Sequence, residues 1–170
     1  MLKPSPTNYS GYFQKYIDQV TETDFFTALH NQSSGLESFL QSITEEKSMF
    51  AYAEGKWTIK ELLLHMSDTE RIFCYRALCF ARGEKTNLPG FDENDYAANS
   101  NANSRTWENI VQEFLTVRKA TEMLFKSFSE EALATSGTAN NNEATVVSIG
   151  FVLLGHVNHH KKILAERYLL

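Results

Sequence analysis

His156 and His160 stand one helical turn apart in Gly155-His156-Val157-Asn158-His159-His160, inside an otherwise strongly apolar segment. At about 100° per residue, an i, i+4 pair is offset by only roughly 40° and shares one helix face. A third histidine, His65, sits far upstream in a second amphipathic segment. Three neutral imidazoles converging from two helices suit a borderline divalent metal and leave a coordination position open for chemistry. The competing reading is that each inward histidine is satisfied by a buried hydrogen bond. A pair joined by a third inward histidine tips the reading toward metal, because bundle interiors bind ions by projecting side chains from facing helices.

Other side chains near these positions have two readings each. His159 lies roughly 80° from the centre of its apolar stripe, which makes it a rim residue beside the mouth of the site. His30 sits among polar residues and reads as a surface histidine. Glu61 and Asp68 fall at i−4 and i+3 from His65 and could orient an imidazole or act as a base. The alternatives are a helix cap for Glu61 and a salt bridge to Arg71 for Asp68. Arg76 lies on the inward stripe, either as a buried ion-pair member or as an anion clamp for a substrate carboxylate. Cys74 and Cys79 are roughly 140° apart around one helix and read as buried free thiols. Cys79 lies about 21 Å along the axis from His65, so neither thiol is a ligand candidate.

These side chains need helices to position them, and apolar periodicity predicts four. They run near residues 24–43, 58–82, 106–128 and 145–169, packed antiparallel, with a short helix or extension over residues 1–23. Thr58-Ile59-Lys60-Glu61 fits a capping box at the start of the second, and Gly83 fits its stop. A polar connection from Glu84 to Arg105 is too long for a tight helix hairpin and reads as a crossover or functional loop. Ser136 to Asn142 reads as an irregular stretch, and no alternating run predicts a sheet. The fold class is therefore all-α, a single-domain four-helix bundle with a long connection between its second and third main helices.

Bulk composition narrows the function. A chain of 170 residues can bury one sizeable core. A net charge of −5 disfavours nucleic-acid binding, which needs a concentrated basic surface. No stretch approaches the ~20 apolar residues of a membrane span, and Met1 to Pro6 carries no signal-peptide core. A cytoplasmic protein is the expectation.

Trp57-Thr58-Ile59-Lys60-Glu61-Leu62-Leu63-Leu64-His65-Met66-Ser67-Asp68-Thr69-Glu70-Arg71 closely resembles the first histidine motif of the DinB-like superfamily. Pro89-Gly90-Phe91-Asp92-Glu93-Asn94 resembles that family's interhelical loop. Gly155 to His160, followed by Glu166-Arg167-Tyr168-Leu169, resembles its C-terminal histidine motif. The resemblance implies a bundle with a three-histidine site for a divalent metal ion, zinc or nickel, carried here onto His65, His156 and His160. It also implies a small-molecule substrate, with low-molecular-weight thiol S-transferases, a thiol-dependent isomerase and metal-dependent hydrolases among the relatives, and it implies a homodimer. The expected activity is a metal-dependent transferase or hydrolase, since a divalent cation lowers the pKa of water or of an external thiol. The alternative is a metal- or ligand-binding bundle without turnover.

Overall fold

The computed structural model describes residues 1–169. Its helices are α1 (Gln14–Ile17), α2 (Phe25–Gln41), α3 (Glu45–Ser48), α4 (Ile59–Ala81), α5 (Glu93–Asn99), α6 (Trp107–Lys126), α7 (Glu130–Ala134) and α8 (Val146–Ile163). Two short strands, β1 (Ser136–Ala139) and β2 (Asn142–Thr145), precede α8, and a π-helical turn, Leu164–Tyr168, follows it.

The long helices α2, α4, α6 and α8 form the bundle. Each starts at a side chain that accepts an amide left free by the first turn: Asp24, Thr58, Thr106 and Thr145. Helix α4 packs against α6 and α8, and α2 packs against the same two. Helices α2 and α4 therefore face each other across the diagonal. Apolar side chains fill the interior in two clusters, one around Phe25, Phe80 and Phe151, the other around Leu40, Leu63 and Phe114.

A buried polar network crosses this interior and touches all four long helices. Arg118 of α6 donates to Glu70 of α4 at 3.0 Å and to Gln32 of α2 at 2.5 Å. Thr121 donates to the other Glu70 oxygen at 2.5 Å. Gln32 donates in turn to the Leu154 carbonyl at 2.8 Å and to Asn158 of α8 at 2.7 Å. Glu70 and Arg118 are 1 % and 4 % exposed, so each depends on the other for its charge to be tolerated.

The chain between the long helices is more ordered than the expected loops. Ser136 to Asn142, expected as irregular, belong to an antiparallel hairpin over residues 136–145, with Ser136 opposite Thr145 and Ala139 opposite Asn142. Asn140 and Asn141 both take left-handed backbone angles, φ 48° and 60°, as a two-residue hairpin turn requires. Gly137 lets β1 pass flat over Phe80, since a Cβ there would lie 2.1 Å from the ring. The 84–105 connection holds α5 and pins itself to the hairpin: the Leu88 amide donates to Thr138 O, and the Asn140 amide to Leu88 O, both at 2.9 Å. Gly155 lets α1 approach α8 closely, because a Cβ there would sit 1.9 Å from the Tyr16 carbonyl oxygen.

The network supplies a stability test. Arg118→Met leaves the Glu70 charge buried without its partner and should lower the unfolding free energy by about 3–5 kcal/mol in a urea titration. Removing both charges together, with Glu70→Leu added, should recover part of that loss. A single-variant loss below about 1 kcal/mol would show that the pair is not essential to the core.

Candidate metal centre

Helix α4 carries His65 and α8 carries His156 and His160, all turned inward. The Nε2 atom of His156 lies 3.1 Å from Nε2 of His65 and 3.0 Å from Nε2 of His160. His65 and His156 are buried and His160 is half-buried. The Nδ1 atom of His65 faces the Thr69 hydroxyl one turn along α4, at 3.5 Å. The Nδ1 atom of His160 is buried without a partner among the described residues. Trp57 packs on the His65 ring with centroids 4.8 Å apart, and Tyr16 meets the His156 ring edge-on at 5.7 Å.

Burial sets the charge of these rings. It pulls the His65 pKa down to about 4 and, with added repulsion from His65 and His159, the His160 pKa down to about 3. Burial also holds His156 well below the ordinary imidazole value. All three are neutral at pH 7, the form in which imidazole offers a lone pair. With the proton on Nδ1, three Nε2 lone pairs face one another, an arrangement that a cation would relieve. The donor set fits a borderline divalent ion on chemical grounds.

The other sequence candidates have defined places. The Glu61 carboxylate accepts from the Thr58 amide at 2.7 Å and closes the capping box of α4. Asp68 pairs with Arg71 at 3.3 Å, and Arg71 reaches Glu113 at 2.7 Å. His159 lies outside the trio, with its ring edge-on to Tyr16 at 6.0 Å. His30 is exposed. Cys74 and Cys79 are free and half-buried, and burial pushes the Cys74 thiol up to about 11, away from a nucleophilic thiolate. Arg76 turns into a cleft that it shares with His65 and His156.

That cleft also uses residues that sequence reasoning did not single out. Phe13 and Tyr16 enter from the N-terminal segment, and Asn140 and Asn142 from the hairpin. The adjacent asparagines Asn140-Asn141 were a readable hairpin signal. Nothing local in the sequence marks Tyr16 as a neighbour of His156. A second cleft reaches His160 between Tyr52, Trp57, Asn94 and Tyr168.

The DinB superfamily profile matches residues 28–164. The chain belongs to the DinB superfamily. A relative from Oceanobacillus iheyensis, named "Putative metal-dependent hydrolase", is 23% identical over 138 residues, covering 81% of this chain and 79% of its own. Among solved structures, YfiT from Bacillus subtilis, described as a probable metal-dependent hydrolase with an unusual four-helix bundle topology, superposes with a TM-score of 0.74. It is 14% identical, over 96% of this chain and 90% of that one. The mycothiol-dependent maleylpyruvate isomerase superposes with a TM-score of 0.67 at 13% identity, over 88% of this chain and 59% of that one. At such identities the two structures bear on the fold of this DinB-superfamily member and leave its chemistry to the site.

The depressed imidazole pKa values carry a pH signature. The unfolded chain takes up protons near the ordinary value of 6.5, while folded His65 resists them until about 4. The histidine contribution to metal-free stability is therefore complete above about 6.5 and is lost as pH falls toward 4. Thermal midpoints of metal-stripped protein should fall across this window, and His65→Gln should fall less steeply. Parallel curves for the two proteins would contradict the neutral buried imidazole.

Proposed function

We propose that this chain is a metal-dependent enzyme acting on small molecules, with His65, His156 and His160 as the ligands of one divalent ion. The observation that carries this reading is the meeting of three Nε2 atoms, two pairs of them 3.0–3.1 Å apart, in a buried and uncharged setting. A bound zinc or nickel ion supplies Lewis acidity, which lowers the pKa of water or of an external thiol. The chain's own residues do the rest. Thr69 orients the His65 ring, Trp57 and Tyr16 exclude water from two of the imidazoles, and neither cysteine competes as a nucleophile.

Two separate clefts touch the trio, one at His65 and His156 and the other at His160. That arrangement favours transfer between two small molecules, such as a thiol and an electrophile, over hydrolysis of one. A homodimer, drawn from the family resemblance, and a cytoplasmic setting, drawn from the sequence, are part of the same proposal; no helix among the described residues is long and apolar enough to cross a membrane.

Metal-stripped protein should bind one zinc or nickel ion in a calorimetric titration. His160→Ala should weaken that binding by more than the roughly 10–100-fold lost when a residue that only orients a ligand is removed. His159→Ala should bind nearly as wild type does. Equal, weak binding by wild type and His160→Ala, or damage from His159→Ala instead, would reject the ligand assignment. A panel of thiols and electrophiles should show turnover that depends on added metal; binding without turnover would leave a metal-binding protein and no enzyme.

A further inference from the structure

Three cationic side chains are buried in the described residues: Lys60, Arg76 and Arg118. Lys60 pairs with Glu45 and Arg118 with Glu70. Arg76, 5 % exposed, has no carboxylate at ion-pair distance among the described residues. Its one hydrogen bond there runs from Nη2 to the Pro89 carbonyl at 2.9 Å. A guanidinium has five N–H donors in a planar fork, so most of its capacity is unused. Burial lowers its pKa from the free value, a sign that the charge has lost water without gaining an anion.

The unused donors face the cleft of the histidine trio. Arg76 lies eleven positions beyond His65 on α4, about 16 Å along the axis and nearly in phase with it. Arg76, His65 and His156 line one cleft. The wall of that cleft carries three aromatic rings, Phe13, Phe73 and Phe91, and Arg76 is held 5.2 Å from the Phe73 ring centre. The free space is about 80 Å³, on a scale where one water takes roughly 10–15 Å³. It suits a small molecule and excludes a polymer. Glu93 stands exposed at the rim, which disfavours a second negative charge on the ligand.

We infer that Arg76 is a substrate-binding residue, and that the substrate is a small apolar or aromatic molecule with one carboxylate, bound by Arg76 at the end away from the histidines. This names the substrate class of the site proposed above and rests on that reading, but binding at Arg76 can be measured without the metal. The probes are phenylacetate and its neutral isostere phenylacetamide, titrated into full-length protein as purified and after metal removal.

Wild-type protein should bind phenylacetate at least about tenfold more tightly than phenylacetamide in both states, a gap of about 1.4 kcal/mol. Arg76→Gln keeps an amide donor for the Pro89 carbonyl but removes the charge, and should erase the preference. Arg76→Lys should keep part of it. The assignment is overturned if wild type binds neither probe at tens of millimolar, binds both alike, or if the preference survives in Arg76→Gln. Loss of zinc or nickel binding with an intact carboxylate preference would instead reject the metal reading alone.

Discussion

The buried pair of Glu70 and Arg118 is the contact on which the geometry of this bundle depends. Apolar packing between helices tolerates small slides, because methyl groups exchange neighbours at modest cost. A buried carboxylate does not, since moving it from its guanidinium strands two charges in a dry interior. Glu70 follows Thr69, whose hydroxyl faces the His65 ring, and Asn158 stands between His156 and His160. Through Gln32, the network thus links α4 to α8 beside the very positions that carry the imidazoles. Nitrogen atoms of His65 and His156 only 3.1 Å apart across two helices demand that relative register be held to a fraction of a turn.

A second constraint follows from that closeness. Imidazolium groups cannot share so small a buried volume, so the fold must keep the three rings neutral. Burial does this by withholding water from the charged form, with mutual repulsion among the rings adding to the effect at His156 and His160. The same burial that makes the trio costly in a bare protein leaves its lone pairs ready for an electrophilic partner. Stability and affinity for a cation are opposed here, as they often are where a site is organised before its ligand arrives.

The helical frame and the histidine faces were legible because both follow from the 3.6-residue period. Three of the four long helices fall within two residues of where apolar spacing puts them, the fourth ends at Ile163 and continues only as the π-helical turn to Tyr168, and the Thr58–Glu61 capping box closes as its residue types require. Pairings across the chain were not legible. Glu70 meets Arg118 over a separation of 48 residues, and no local pattern favours it over another charged residue. The same limit applies to Arg76: its place on the inward stripe could be read, but the lack of a carboxylate opposite it among the described residues is a fact of packing. The hairpin was missed because its strands are short and lack alternation, although Asn140-Asn141 carried the turn signal.

Labour is divided between the bundle and its connections. Histidines on α4 and α8 need only helical phase and register, which many sequences can meet, and a bundle of similar shape persists at 13–14% identity. The cleft walls come from elsewhere: Phe13 and Tyr16 from the N-terminal segment, Phe91 and Glu93 from the 84–105 connection, Asn140 and Asn142 from the hairpin. These segments are anchored to the bundle by buried side chains such as Phe13, Ile17 and Leu88 and by the close approach of Tyr16 to Gly155. Arg76, with Thr69 and Phe73, brings the bundle itself into the cleft wall, and it donates to the Pro89 carbonyl of the connection. It therefore couples the shape of the cleft wall to the helix that carries His65.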